Sequence, residues 1–242
     1  ECHKQISAPL TISKLVHNVT AAIASCRLDA RKASYEKING VLTFGKKRAK
    51  KQGPGGMLAL DKAAFNDYAR YQEISHSFAR ALDDGEFYLM LQPQYDGNQH
   101  IVSSEALIRW EHPTLGFIPP DEFIQLLEHS GNIRPVTDWM IEQVLKQLAQ
   151  WWQQGENIQV AINLSVHDLL DESLPIKIQR ALNKVSLPVQ ALSLEVTESA
   201  VMADRGVVGE VLKALKKLGL KLAIDDFGTG QSSLAYLRDL LV

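Results

Sequence analysis

Leu192-Ser193-Leu194-Glu195-Val196-Thr197-Glu198 is the stretch that decides how this chain is read. Apolar and polar residues alternate with period 2, as in a strand that buries one face. Leu192, Leu194 and Val196 form the apolar row, and Ser193, Glu195 and Thr197 form the other. Downstream, Gly206 to Leu218 carries Val207, Val211, Leu212, Leu215 and Leu218 at helical spacing, and Leu220 to Asp225 returns to a strand. Upstream, Ile158 to Leu164 reads as a strand and Leu174 to Val185 as a helix. Strands that alternate with helices in this way predict a parallel sheet covered by helices.

Further upstream the order begins with a strand pair. Phe87 to Gln92 and His100 to Trp110 are joined by the turn Asp96-Gly97-Asn98. Two helices follow, Pro120 to His129 and Pro135 to Gln154, the latter with Val136, Met140, Val144 and Leu148 at every fourth position. Beyond the last strand, Ser232 to Leu240 starts another helix. Residues 1–83 are less regular. Leu15 to Leu28 reads as an amphipathic helix with Val16, Val19, Ala22, Ile23 and Cys26 on one side. The basic run Lys46 to Lys51 reads as a solvated helix end, where cations suit the helix dipole, rather than as a phosphate-backbone contact. Gln52-Gly53-Pro54-Gly55-Gly56 breaks the chain, and residues 61–84 form a second helix that connects to the regular part. The domain reading is therefore a helical segment over 1–83 and an α/β domain over 84–242.

Composition bounds the function. The chain has 242 residues, a net charge of −2 and a pI near 6.4, which make no overall case for a nucleic-acid or membrane partner. Two cysteines near the N-terminus are neither a disulfide framework nor a metal–thiolate pattern, and suit a reducing cytoplasm. No apolar run approaches the roughly 20 residues of a membrane span. A first residue other than Met suggests a piece of a longer protein.

Chemistry gathers at the strand ends. The predicted strands carry, at or near their C-terminal ends, Glu105, then Asn163, then Glu195, then Asp225 and Asp226. Any one of these is readily explained as a helix cap or a surface carboxylate. Together they are harder to dismiss, because four carboxylates and an amide on neighbouring strands would repel one another unless cations lay among them. Hard oxygen donors suit Mg²⁺ or Mn²⁺, and adjacent aspartates suit two ions about 3.5–4 Å apart. In a parallel α/β barrel, such strand ends form the active site. After them, Phe227-Gly228-Thr229-Gly230 supplies a glycine-punctuated turn.

These residues carry a family resemblance. Gln92-Pro93, Glu105-Ala106-Leu107-Ile108-Arg109-Trp110, Asn163-Leu164-Ser165, Glu195-Val196-Thr197-Glu198 and Asp225-Asp226-Phe227-Gly228-Thr229-Gly230 resemble, in order, the signatures of the EAL family of cyclic di-GMP phosphodiesterases. Glu105, Asn163, Glu195 and Asp225 are separated successively by 58, 32 and 30 residues, which is similar to the family's spacing. The resemblance implies a TIM-type (β/α) barrel with an antiparallel first strand, and hydrolysis of cyclic di-GMP to linear pGpG. It implies that Glu105, Asn163, Glu195, Asp225 and Asp226 hold two Mg²⁺ or Mn²⁺ ions, with Glu105, Asp225 and Asp226 catalytic. It further implies that Gln92 and Arg109 contact substrate and that Glu198 steadies the loop from Phe227 to Ser233. A homodimer through the EAL domain and a cytoplasmic location are implied as well, with any membrane attachment lying in segments outside this chain. Gln231 stands where the family commonly has Tyr.

The family continues past its fifth strand with strands that bear a catalytic Lys and further site residues. The resemblance therefore implies an incomplete barrel of about five of eight strands, inactive alone. A non-catalytic cyclic di-GMP receptor or protein-interaction scaffold is the alternative. The segment before residue 84, with Ala49-Lys50-Lys51-Gln52-Gly53 leading to Gly85-Glu86-Phe87, more faintly resembles the tail of a GGDEF diguanylate cyclase domain, without the GGDEF motif itself.

Overall fold

The computed structural model describes residues 10–12, 15–17, 20–27, 34–204 and 206–225. The chain divides into two compact units between Ser77 and Phe78. Asp226, the turn that follows it, and the expected helix over Ser232 to Leu240 lie outside the described residues.

The first unit holds strands β1 (Leu10–Ile12), β2 (Leu15–His17), β3 (Ile23–Cys26) and β4 (Met57–Leu60). Helix α1 (Tyr35–Lys51) lies between β3 and β4, and α2 (Lys62–Asp83) starts here and runs past the division. The amphipathic helix expected over Leu15 to Leu28 is not formed. Its described residues include instead β2, which pairs antiparallel with β1, and β3, which pairs parallel with β4. The helical spacing in that window was a weak local signal, and pairing with a strand more than thirty residues away overrode it (Ile23 opposite Met57). One face of β3 and β4 packs Ala24, Cys26 and Leu58 against Val41, Leu60 and Ala64. The basic run does end a helix: Arg48, Lys50 and Lys51 occupy the last turn of α1, and Arg48 pairs with Asp67.

The second unit is a sheet with helices on one face. Its strands are β5 (Phe87–Tyr95), β6 (Ile101–His112), β7 (Gly116–Ile118), β8 (Gln159–Leu164), β9 (Leu192–Thr197) and β10 (Lys221–Asp225). The order is β10-β9-β8-β6-β5, with β7 on β6. β5 is antiparallel to β6, and β6, β8, β9 and β10 are mutually parallel. The connecting helices are α3 (Pro120–Ser130), α4 (Arg134–Gln153), α5 (Val166–Leu169), α6 (Leu174–Lys184), α7 (Glu198–Met202) and α8 (Val207–Lys217). The alternating pattern read from the sequence is realised, with the short β7, α5 and α7 as additions.

The two faces of the sheet differ in kind. Ala106, Ile108 and Trp110 of β6, Val160, Ile162 and Leu164 of β8, and Leu192, Leu194 and Val196 of β9 are buried on the helix side. Phe87 begins β5 inside an aromatic cluster with Trp110 (ring centroids 4.8 Å apart), Phe123 (5.7 Å) and Trp139 (6.1 Å). The opposite, inner face carries the polar rows. Among the described residues, no helix is long and apolar enough to cross a membrane.

One expectation about position is corrected. Glu105 is not near the C-terminal end of its strand, because β6 continues to His112. Beyond Ala106, where pairing with the parallel partner β8 stops, β6 is held by β5 as far as Trp110 and by β7 from Trp110 to His112.

Candidate active site

Strand register assembles the inner face. Gln92 lies directly across from Glu105, and Glu105 across from Ala161. Asn163 lies across from Glu195, and Glu195 across from Ala223. Asp225 pairs with Thr197, two residues along from that row. Because paired residues on neighbouring strands share a face, Gln92, Glu105, Asn163, Glu195 and Asp225 all point to the inner side. Arg109 shares that side with Glu105 by the period of 2, opposite Tyr88.

Side-chain contacts tighten the group. The Asn163 amide Nδ2 donates to Glu105 Oε1 at 2.6 Å, across two strands and 58 residues of chain. Burial pushes the Glu195 carboxyl above its ordinary range, and the carboxylates of Glu105 and Asp225 push it further, against the opposing charge of Lys221. A carboxyl whose proton affinity is raised by neighbouring carboxylates sits in a site short of positive charge. Among the described residues, no three His, Cys, Asp or Glu side chains are gathered closely enough to chelate an ion by themselves. The donor set is nevertheless all oxygen, as a hard divalent cation requires, and a cation would relieve the repulsion at Glu195.

Other residues sit around this group. Arg109 donates from Nη1 to Ile108 O at 2.9 Å. Glu198 is buried in the first turn of α7, where an acidic side chain suits the helix N-terminus; the loop expected to rest on it lies outside the described residues. Just past Asn163, Ser165 caps α5 reciprocally with Asp168: Asp168 Oδ2 accepts from Ser165 N at 2.8 Å and from Ser165 Oγ at 2.6 Å. Asp168 is buried, which raises its pKa, while Ser165, Thr137 and Arg134 pull it back. This capping box escaped the sequence reading although its Ser-x-x-Asp spacing was visible. Lys221 escaped too, and only the pairing of β10 with β9 puts it on the inner face.

Comparison with known proteins assigns the chain to a family. The EAL domain family matches residues 75–242. The chain belongs to the EAL family. Solved members are TIM-like barrels, and the described strands form part of such a barrel. Cyclic di-GMP phosphodiesterase PA2567 of Pseudomonas aeruginosa is 40% identical over 182 residues, covering 75% of this chain and 30% of that protein. Cyclic di-GMP phosphodiesterase PdeR of Escherichia coli is 31% identical over 188 residues, covering 77% and 28%. The chain therefore spans about a third or less of the length of these relatives. Among solved structures, the PaMucR phosphodiesterase in complex with c-di-GMP is 36% identical, with a TM-score of 0.65 over 69% of this chain and 68% of that one.

Proposed function

We propose that the protein is a metal-dependent phosphodiesterase that hydrolyses cyclic di-GMP to linear pGpG. The observation that carries the proposal is the meeting of Glu105, Asn163, Glu195 and Asp225 on one side of a sheet, with Asn163 bonded to Glu105 and Glu195 crowded by like charge. The relatives named cyclic di-GMP phosphodiesterases and the c-di-GMP complex of PaMucR support the choice of substrate.

Glu105, Asn163, Glu195, Asp225 and Asp226 are the residues that would hold two divalent ions, Mg²⁺ or Mn²⁺. Such ions supply an acidified water and a counter-charge for the phosphate oxygens. The chain's own residues then have separate tasks. Asn163 uses its amide N–H to fix the Glu105 carboxylate, which leaves its carbonyl oxygen as a donor. Glu195 and Asp225 bring negative charge that a bound cation would offset. Arg109, a planar cation on the same face, pairs with a phosphate, and Gln92 offers an amide beside Glu105. In the reaction, the water oxygen joins phosphorus and the bond from phosphorus to one 3′ oxygen breaks. One water proton ends on that oxygen, and the product keeps a 5′-phosphate. Glu198 steadies the loop after Asp226, and a second copy joined through the EAL domain is the expected partner. The residues before 84 read as the tail of a GGDEF domain. The bifunctional diguanylate cyclase/cyclic di-GMP phosphodiesterase MucR supports this, being 31% identical over 98% of this chain and 35% of that protein.

The test is to incubate the intact protein with cyclic di-GMP and Mg²⁺ or Mn²⁺ and resolve the products by anion-exchange chromatography. pGpG should form, and should vanish on chelation or with Glu105→Gln. Tight binding without turnover would transfer the protein to the non-catalytic receptor class, and neither binding nor turnover would end the proposal.

A further inference from the structure

Phe87-Tyr88-Leu89-Met90-Leu91 opens β5 with five large side chains in a row. Alternate members serve different faces. Phe87 lies in the aromatic cluster on the helix side, and Leu89 and Leu91 follow it there by the period of 2. Tyr88 and Met90 are left on the inner face, the face of Gln92 and Glu105. They are 42% and 52% exposed, and lie directly across from Arg109 and Leu107. The result is an apolar strip beside a cation, on the same face as Glu105 and Gln92.

The position along the strands matters as much as the chemistry. β5 runs against β6, so its first residues lie at the end toward which the parallel strands point. Tyr88 and Arg109 are four positions along β6 from the Gln92–Glu105 pair, on the rim side of the carboxylates. A purine nucleotide presents a flat, weakly hydrated base and an anionic phosphate joined through one sugar. Opposed strand residues have Cβ atoms about 4.5–5.5 Å apart, which lets one take the base and its neighbour the phosphate.

Building on the cyclic di-GMP reading above, the geometry points to Tyr88, backed by Met90 and Leu107, as the plate on which one guanine base stacks while Arg109 holds an adjoining phosphate. Stacking on an aromatic side chain is worth enough that its removal weakens binding by about 5- to 150-fold. It needs the ring and not the hydroxyl.

The test measures cyclic di-GMP affinity of the intact protein by calorimetry in EDTA, so that no ligand is consumed. Tyr88→Ala should bind about 5- to 150-fold more weakly, and Tyr88→Gln, which keeps length without a ring, should lose as much. Tyr88→Phe and Tyr88→Trp should stay close to the parent, and the fluorescence of the tryptophan introduced in the latter should change on ligand addition. Unfolding midpoints should be unaltered, since the side chain is substantially exposed. A parent that does not bind cyclic di-GMP overturns the functional reading along with this one. A parent that binds, with Tyr88→Ala and Tyr88→Gln binding equally well, overturns the stacking plate alone. A lowered unfolding midpoint with unchanged affinity also overturns it, and assigns the strip to contacts within the protein.

Discussion

Replacing Trp110 should do more damage to the second unit than any change on the inner face. The indole is fully buried at the centre of the cluster that ties β5 and β6 to α3 and α4. Its ring lies 4.8 Å from Phe87 and edge-on to Phe123 at 5.5 Å, and its Nε1 donates to Glu86 Oε2 at 2.7 Å. Trp110→Ala removes these contacts and opens a cavity that the surrounding helices can only partly fill, at a cost of about 3–5 kcal/mol. For a unit of this size that corresponds to a fall in Tm of roughly 6–20 °C. Trp110→Phe keeps most of the ring packing and loses the bond to Glu86, a half-buried group that water can reach, so it should cost only about 1–1.5 kcal/mol. Urea unfolding followed by tryptophan fluorescence reads this unit selectively, because Trp110, Trp139, Trp151 and Trp152 all lie after Phe78. A cycle with Glu86→Ala would isolate the hydrogen bond. The reasoning fails if Trp110→Ala costs less than about 1 kcal/mol, or if Trp110→Phe is as harmful as Trp110→Ala.

Two further outcomes are expected. Because burial, Glu105 and Asp225 hold the Glu195 carboxyl above its ordinary 4.5, its folded form favours the proton; metal-free stability should therefore fall as pH rises from the unfolded value through the raised one. Glu195→Gln should abolish that fall and added Mn²⁺ should reverse it, so parallel urea-midpoint profiles for parent and variant across pH would refute the account. In the first unit, a Cβ at Gly56 would meet the Ala49 carbonyl oxygen at 2.0 Å, a backbone atom that cannot swing aside. Gly56→Ala should cost about 1–3 kcal/mol and speed amide exchange in β3, since Ile23 N donates to Gly56 O at 2.9 Å; unchanged exchange there would contradict it.

The legibility of the fold varied with how local its causes were. The helix from Arg134 to Gln153 could be read because each turn repeats the same apolar spacing, and Val136, Met140, Val144 and Leu148 are indeed its buried side. Residues Leu15 to Leu28 misled because a short stretch there carries no pattern strong enough to outweigh a strand partner at Met57–Leu60. Glu105 was placed too near a strand end although the strand read from the sequence already ran to Trp110; β7, pairing with Trp110, Glu111 and His112, carries it only two residues further. The Ser165–Asp168 box was written in the spacing, whereas its burial and its link to Arg134 and Thr137 depended on α4 packing beside it.

What the amino-acid order settled by itself is which side of each strand is apolar. A period of 2 divides Leu192, Leu194 and Val196 from Ser193, Glu195 and Thr197 whatever the strand later pairs with. Which polar groups become neighbours was left to the tertiary structure. Only the parallel register sets Asn163 opposite Glu195 and within bonding reach of Glu105, because hydrogen bonds between strands fix distances that no run of consecutive residues encodes.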